Sequence, residues 1–149
     1  MGHAAQAVKI RRLAPDEANA TWPAIELMVR AALEQARGEY DVVFVEGMIR
    51  QGRAKVATVK KGREILAAVV YFIVEYQDSK NLRVWLMGGH GRDEWAGDLL
   101  AYLDEIGRAE EVREIELGVR PGLVRILKGA GYELAYSEMR RYIGGGHVE

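Results

Sequence analysis

The amino-acid sequence predicts an α+β domain whose central sheet is mixed and mostly antiparallel. Residues 55–88 contain three apolar segments separated by short polar turns, as expected for an antiparallel meander. The third segment is followed by a helical pattern and a further strand, which together make a β-α-β unit. Over residues 8–143 the predicted order is β-α-α-β-β-β-α-β-α-β-β, in a single domain. Residues 1–7 and 144–149 are expected to be flexible ends.

The composition is typical of one globular domain. Of the 149 residues, 49% are hydrophobic and 29% are charged. The net charge of −1 provides no overall field that would attract nucleic acid or an anionic membrane. The absence of cysteine excludes disulfides, thiolate catalysis and cysteine-ligated zinc, and is expected of a reducing interior. The longest apolar run, Ile65–Val74, is far shorter than the roughly 20 residues that span a bilayer.

One strand and one long helix are predicted before residue 40. Apolar residues alternate with basic ones over residues 8–13 and indicate a short strand that Pro15 ends. Apolar residues then recur at three- and four-residue steps, as on one face of a helix. These residues are Trp22, Ile25, Val29, Ala32, Leu33 and Ala36. Thr21 is the predicted N-cap of this helix, and Gly38 is its predicted end.

A second helix and the meander follow. Residues 42–51 suit a short helix, although the apolar run Val42-Val43-Phe44-Val45 also suits a strand. The meander strands are predicted at Lys55–Lys60, Ile65–Tyr76 and Leu82–Gly88. The middle strand is rich in β-branched and aromatic residues and apolar enough to be covered on both faces.

The last third of the chain predicts two helices and three strands. Asp93 is a plausible N-cap for a helix whose apolar face is Trp95, Leu99, Leu103 and Ile106. Alternation over Glu114–Val119 indicates a strand, and Pro121 begins the last helix. Tyr132–Ser137 and Met139–Ile143 are predicted to complete the sheet as two strands.

Two short motifs surround the last helix. Arg120-Pro121-Gly122 opens it, and Gly131-Tyr132 follows it. Together with the order of elements, these motifs resemble the small GNAT-like proteins of tailed phages, within the wider GNAT acyltransferase fold. The resemblance implies an α/β/α arrangement with helices on both faces of the sheet, and acetyl-CoA as the ligand of the fold.

The resemblance places acetyl-CoA where the fourth and fifth strands separate. Its pantetheine arm would lie on the backbone of the fourth strand, and its pyrophosphate at the N-terminus of the next helix. The cofactor-binding residues that the resemblance implies are Leu86, Met87, Gly88, Gly89, Gly91, Arg92, Trp95 and Ala96. In GNAT enzymes this loop has the signature Q/R-x-x-G-x-G/A. Aligned on the following helix, its three defined positions are Gly91, Glu94 and Ala96, of which only Ala96 agrees.

Carboxylates occupy the place where the pyrophosphate would bind. Asp93 and Glu94 fall in the first turn of the helix, whereas Arg92 lies one position from the expected arginine or glutamine. Two uncompensated negative charges at about 4–5 Å repel one another by on the order of 1–4 kcal/mol. The loop therefore lacks the usual signature and is predicted to oppose an anionic ligand.

The catalytic groups of GNAT enzymes are also mostly missing. The resemblance places the tyrosine that protonates the leaving thiolate at Leu127, and a frequent asparagine at Arg120. The predicted fourth strand carries no carboxylate or histidine that would act as general base. The nearest candidates are His90, just past this strand, and Glu75, near the end of the preceding one.

Each of these features also has a structural explanation. Gly88-Gly89-His90-Gly91 suits a strand-to-helix turn that needs positive φ angles, and Arg120-Pro121-Gly122 suits an ordinary helix start. His90 and Glu75 both suit solvated positions. The basic residues around the second and third strands favour a protected sheet edge over nucleic-acid binding, since no stacking aromatic residues accompany them. No pair of histidines or acidic residues has metal-ligand spacing, so no metal is predicted.

Two functions remain open at this point. The first is an acyl-CoA-dependent N-acyltransferase in the cytoplasm of a bacterial host, with an unidentified amine as substrate. The second is a non-catalytic GNAT-fold phage protein that is virion-associated or contacts a host component. A homodimer formed through exposed sheet edges is compatible with both functions.

Overall fold

The computed structural model describes residues 7–36, 38–119 and 121–144. The strands are β1 (Val8–Arg12), β2 (Lys55–Lys61), β3 (Glu64–Glu75), β4 (Lys80–Gly89) and β5 (Glu114–Leu117). The helices are α1 (Pro15–Glu34), α2 (Val42–Arg50), α3 (Arg92–Ala109) and α4 (Pro121–Gly129). The chain forms two compact units that divide between Gly118 and Val119, and α4 is the only one of these elements in the second unit.

The sheet has the order β1-β2-β3-β4-β5. The first four strands are antiparallel neighbours, and β5 runs parallel to β4. The parallel pair arises because α3 carries the chain back across the sheet between these two strands, which is the geometry of a β-α-β unit. This architecture confirms the predicted α+β class with a mixed, mostly antiparallel sheet.

Helices cover both faces of the sheet. On one face, α1 and α2 pack on the strands and bury residues such as Trp22 and Ile25. On the other face, α3 buries Trp95 and Leu103. The predicted positions of both tryptophans in the core are confirmed, as is the three-layer arrangement of this unit.

The first helix begins at Pro15 rather than after the predicted N-cap Thr21. Pro15 fits the first helical position because an N–H group there would have no helical partner. The carboxylate of Glu17 accepts the backbone N–H of Ala14 at 3.0 Å and pairs with Arg11 at 2.7 Å. These contacts stabilise a start that the apolar pattern alone did not indicate.

Glu17 is expected to make stability fall in acid. The hydrogen bond from Arg11 and that from the backbone of Ala14 lower the pKa of Glu17 from 4.5 to about 2. The ionised carboxylate therefore stabilises the fold above a pH of about 4.5, and this contribution is lost as the pH falls toward 2. Glu17→Gln should lower the urea midpoint at pH 7, and its difference from the native chain should shrink toward pH 2. Asp16→Asn in the same turn is the control, and a difference for Glu17→Gln that does not change with pH would contradict the assignment.

The other helix starts follow the capping rules with one correction. The helical interpretation of residues 42–51 is confirmed, and the Asp41 carboxylate accepts the backbone N–H of Phe44 at 2.9 Å. The N-cap of α3 is Gly91, with φ of +70°, rather than the predicted Asp93. A left-handed backbone favours glycine at this position, and Asp93 consequently lies inside the first helical turn.

The predicted C-terminal strands at Tyr132–Ser137 and Met139–Ile143 were wrong. Residues 132–143 have no strand structure, and β5 ends at Leu117 instead of Val119. An alternating pattern gives a segment the propensity for a strand, but a strand forms only where a neighbour accepts its hydrogen bonds. In the described ranges the sheet has five strands, and residues 132–143 pair with none of them.

Candidate functional site

Strands β4 and β5 separate part of the way along the sheet. Their parallel pairing joins Asn81–Val84 to Glu114–Leu117. β4 continues to Gly89, but within the described residues no strand pairs with residues 85–89 on the β5 side. The backbone there offers N–H and C=O groups to a ligand, as the GNAT resemblance implies for the pantetheine arm.

A β-bulge lies at the start of this unpaired stretch. Val70 pairs with Leu86 and Tyr71 pairs with Val84, so Trp85 is an extra residue in β4. Val84 packs toward α3, whereas Trp85 and Leu86 both pack toward α1 and α2. Bulges re-aim side chains in this way and are frequent beside binding sites. The sequence pattern of alternating residues gave no sign of this bulge.

Trp85 is part of an aromatic wall, which consists of Tyr40, Phe44, Phe72 and Trp85. The indole ring makes edge-on contacts with the other three rings at centroid distances of 5.2, 6.1 and 5.8 Å. Tyr40 and Phe44 stack at 5.4 Å and are 43% and 48% exposed. The aromatic wall is therefore a partly exposed apolar surface beside the bulge, which suits contact with a ligand.

Glu116 places a carboxylate on the same face of the sheet. Its neighbours Ile115 and Leu117 pack with the α3 cluster, so the alternation of the strand places Glu116 on the sheet face that carries the aromatic wall. Sequence reasoning missed this residue, because the search for a carboxylate was confined to the fourth strand. The only signal in the sequence was its position in the alternating segment of β5.

The Glu116 carboxylate is held in place by three donors. It accepts hydrogen bonds from Tyr76 Oη and Asn81 Nδ2, each at 2.8 Å, and from Arg83 Nη1 at 3.4 Å. Burial acts to raise the pKa of Glu116, but the hydrogen bonds from Asn81 and Tyr76 and the charge of Arg83 outweigh it, so the pKa is lowered. Glu116 therefore stays ionised at neutral pH, and its charge suits the binding of a cation rather than the removal of a proton.

The segment Gly88-Gly89-His90-Gly91 belongs partly to a strand and partly to a helix cap. Gly88 and Gly89 are the last residues of β4. A Cβ atom at Gly88 would overlap the backbone oxygen of Met28, because α1 crosses β4 closely at this point. Gly91 alone has the left-handed conformation of a helix cap. Capping accounts for Gly91, as the predicted turn with positive φ requires, whereas Gly88 is accounted for by the packing of α1 and not by its φ angle.

The side chains of several proposed cofactor residues are part of the core. Leu86 is 8% exposed and Trp95 is 3% exposed, while Met87 and Ala96 are partly buried. Only Arg92, the first residue of α3, has an exposed side chain among the non-glycine candidates. These residues would therefore contact a cofactor mainly through the backbone, and their role in binding remains a prediction.

The acidic first turn of α3 is partly compensated. Glu94 Oε2 lies 2.7 Å from Nζ of Lys61 at the end of β2. Asp93 is exposed and forms no ion pair with a described residue. The expected repulsion of a phosphate group therefore comes mainly from Asp93, since Lys61 offsets the charge of Glu94.

The two candidate bases lie far apart. His90 Nε2 is 3.2 Å from Oε2 of Glu64, at the start of β3, and the His90 carbonyl accepts the indole N–H of Trp95 at 2.8 Å. Glu75 lies at the other end of β3, opposite Lys80. Glu64 and Glu75 are the first and last of the 12 residues of β3, a distance of roughly 36 Å. The structure does not bring His90 and Glu75 together, and each remains a separate prediction.

The motifs around α4 are only partly described. Leu127 lies in α4, in the second compact unit, and Arg120 lies outside the described residues. The backbone N–H of Tyr132 donates to the Leu127 carbonyl at 3.0 Å, so the predicted Gly131-Tyr132 pair does end this helix. Among the described residues, no group of three or more histidines or carboxylates is arranged to hold a metal ion. None of the described helices is long and apolar enough to cross a membrane.

Comparison with solved structures identifies the fold. No family model matches the sequence, and no curated protein matches it. An aminoglycoside acetyltransferase from an uncultured soil metagenomic sample, in complex with sisomicin, superposes with a TM-score of 0.65 at 12% identity. The match covers 91% of this chain and 96% of the acetyltransferase.

Two further structures agree with this result. The ribosomal-protein-alanine N-acetyltransferase of Brucella melitensis biovar Abortus 2308 has a TM-score of 0.65 at 16% identity, over 93% of this chain and all of the other. A predicted acetyltransferase from Clostridium acetobutylicum, solved with acetyl-CoA, has a TM-score of 0.67 at 10% identity, over 89% and 96% of the two chains. The chain therefore has the fold of GNAT acetyltransferases.

Proposed function

We propose that the protein is an acyl-CoA-dependent N-acyltransferase of the GNAT superfamily with an altered cofactor loop. The observation that carries this proposal is the separation of β4 and β5 directly after the bulge at Trp85. The free backbone edge that results leads straight to the N-terminus of α3, so one continuous surface offers strand groups followed by helix N–H groups.

The residues of this surface fit an acyl-CoA. Residues 85–89 would hold the pantetheine arm by backbone hydrogen bonds, and the first N–H groups of α3 would hold the pyrophosphate. Gly91 allows the tight entry into the helix, and Arg92 adds an exposed cation next to the N-terminus. Lys61 removes part of the opposing charge through its ion pair with Glu94.

The acceptor is proposed to be an amine that carries a positive charge before it reacts. The Glu116 carboxylate would bind an ammonium group, and the aromatic wall would contact the remainder of the molecule. When bound, acyl-CoA supplies an activated thioester carbonyl. His90 and Glu75 are the two candidate bases: His90 follows the unpaired stretch of β4, whereas Glu75 precedes Tyr76, which donates to Glu116.

One alternative is supported by specific residues. Asp93 opposes phosphate binding, and Leu127 stands where the family has a tyrosine that acts as acid. In a GNAT-fold protein without catalytic activity, neither Asp93 nor Leu127 would impair function. Its proposed role is that of a phage protein which is virion-associated or contacts a host component.

Acyl-CoA binding separates the two proposals. Acetyl-CoA at a hundred times its dissociation constant should stabilise an acyltransferase by about 2.7 kcal/mol, which thermal denaturation detects as a higher Tm. ATP is the control ligand, because it carries phosphates but no pantetheine arm. A shift with acetyl-CoA that ATP does not reproduce supports the enzyme, and a panel of amines assayed for release of free CoA would then find the acceptor. No shift at millimolar acetyl-CoA, CoA or longer acyl-CoAs would favour the non-catalytic alternative.

A further inference from the structure

A cavity lies at the end of the sheet opposite the N-terminus of α3. It has a volume of about 200 Å³ and lies beside Glu110, the residue that follows α3. Arg12 from β1, Lys55 from β2 and Tyr71 from β3 contribute to its lining, as does Arg53 from the loop before β2. This cationic cavity shares Phe72 with the aromatic wall, but it includes none of residues 85–89 and no residue of the first turn of α3.

Tyr71 contributes a buried and unsatisfied hydroxyl group. The residue is 2% exposed, and its hydroxyl makes no hydrogen bond of acceptable geometry with a described residue. Burial raises the pKa of Tyr71 to about 12, although the neighbouring Arg12 acts to lower it. The hydroxyl therefore keeps its proton at neutral pH. A buried donor without an acceptor is unfavourable, and a ligand atom that accepted this hydrogen bond would relieve the penalty.

Three cations line the cavity, and none of them has a carboxylate partner among the described residues. Arg12 and Lys55 lie on neighbouring strands, two register positions apart on the same face of the sheet, and Lys55 is paired in register with Tyr71. Such diagonal neighbours are about 7–8 Å apart, so their charges repel one another. Arg12, Arg53 and Lys55 form no ion pair with any described residue. The single carboxylate in the lining belongs to Glu110.

The end of β1 is also held at a fixed position. The backbone N–H of Arg12 donates to the hydroxyl of Tyr102 on α3 at 2.8 Å. This hydrogen bond holds the strand end that carries the Arg12 side chain next to the C-terminal part of α3. The cation is therefore placed by the fold rather than by an acidic partner.

We propose that the cationic cavity is a binding site for a small oxyanion, a phosphate or a carboxylate. One ligand oxygen would accept the hydrogen bond of the Tyr71 hydroxyl, and the guanidinium groups of Arg12 and Arg53 would bind the remaining oxygens. Lys55 adds a third positive charge. Glu110 would accept a hydrogen bond from a hydroxyl group of the ligand, which favours an anion that also carries hydroxyls.

Titration calorimetry with inorganic phosphate at constant ionic strength tests this site. The native chain should bind one phosphate, and Arg53→Gln should weaken the binding about tenfold, as expected for the loss of one charge-assisted hydrogen bond. Tyr71→Phe keeps the buried ring and removes only the hydroxyl, so it should weaken binding by a similar factor in a chain that still folds. The matched control is Arg63→Gln, which changes an exposed arginine in the β2–β3 turn outside the cavity.

One further variant locates the binding site, and one further ligand identifies the class of anion that binds there. Arg92→Gln removes the exposed cation at the N-terminus of α3, so phosphate binding that survives this substitution lies outside the proposed pyrophosphate site. A parallel titration with malonate identifies the chemical class of the ligand. Tighter binding of malonate than of phosphate indicates a carboxylate, and tighter binding of phosphate indicates a phosphorylated compound. The proposal is overturned if neither anion binds at tens of millimolar, if Arg53→Gln and Arg63→Gln have equal effects, or if Arg92→Gln alone removes binding. The effects of Arg53→Gln and Tyr71→Phe report on the cavity alone, because neither residue belongs to the proposed acyl-CoA surface.

Discussion

Replacing Gly88 with alanine is expected to lower the free energy of unfolding by about 2–3 kcal/mol. The new Cβ would overlap the backbone oxygen of Met28 and lie 3.0 Å from its carbonyl carbon. Because these are backbone atoms of α1, the overlap is relieved only if the helix moves away from β4. That movement would loosen the packing that buries Val29 and Leu86 between α1 and the sheet.

Gly97→Ala is the matched control for this substitution. Gly97 lies in α3, and a Cβ atom there would meet no atom within 4 Å. Alanine in a helix interior is more favourable than glycine by roughly 0.5–1 kcal/mol, so the control should be stabilised. Urea denaturation followed by circular dichroism measures both effects. Equal stability of Gly88→Ala and the native chain would show that α1 does not approach β4 as closely as described.

The local parts of the fold were predictable because their signals are local. Apolar steps of three and four residues indicated the buried faces of α1 and α3, and alternation indicated β5. At residues 42–51 the sequence left a helix and a strand open, and the structure shows the helix, with Asp41 as its N-cap. In each case the pattern lies within the segment that forms the element, so no distant partner is needed to interpret it.

The features that were missed depend on partners far away in the sequence. The extra residue at Trp85 exists only in the register of β4 against β3. The charge of Glu94 is offset by Lys61, which lies 33 positions earlier in the chain. Likewise, the predicted strands after Tyr132 would have required a neighbouring strand that their own alternation cannot supply.

The elements proposed for the candidate site adjoin one another in the structure, and their role in binding stays a prediction. The end of β4 and the start of α3 do form a continuous surface, as the GNAT resemblance implies. Gly88 proves to be required by the packing of α1, and Trp95 by the core. Two groups of the candidate site that sequence reasoning did not find are Glu116, on the strand beside β4, and Tyr40, which contacts Trp85.

Removing the charge of Asp93 is expected to strengthen acyl-CoA binding. Asp93 is the unpaired carboxylate in the first turn of α3, where the pyrophosphate is proposed to lie. Since the group is exposed, the repulsion should be near the lower end of 1–4 kcal/mol, which corresponds to about a tenfold lower Kd for Asp93→Asn. Asp93→Lys should lower the Kd by roughly another tenfold, because attraction then replaces the repulsion. Titration calorimetry with acetyl-CoA at low ionic strength measures both values.

The position of the charge, rather than the net charge of the protein, should decide this effect. Asp98→Asn changes the net charge by the same amount one turn further along α3, and it should leave the Kd nearly unchanged. The gain at Asp93 should also shrink as salt is raised, because exposed charges are screened over about 8–10 Å at moderate ionic strength. The same substitutions should reduce stability by about 0.3–1 kcal/mol, since a carboxylate at a helix N-terminus favours the helix. Equal effects of Asp93→Asn and Asp98→Asn on the Kd would place the pyrophosphate elsewhere. If Asp93→Asn instead binds acetyl-CoA more tightly and is less stable, Asp93 stabilises α3 at the expense of phosphate binding.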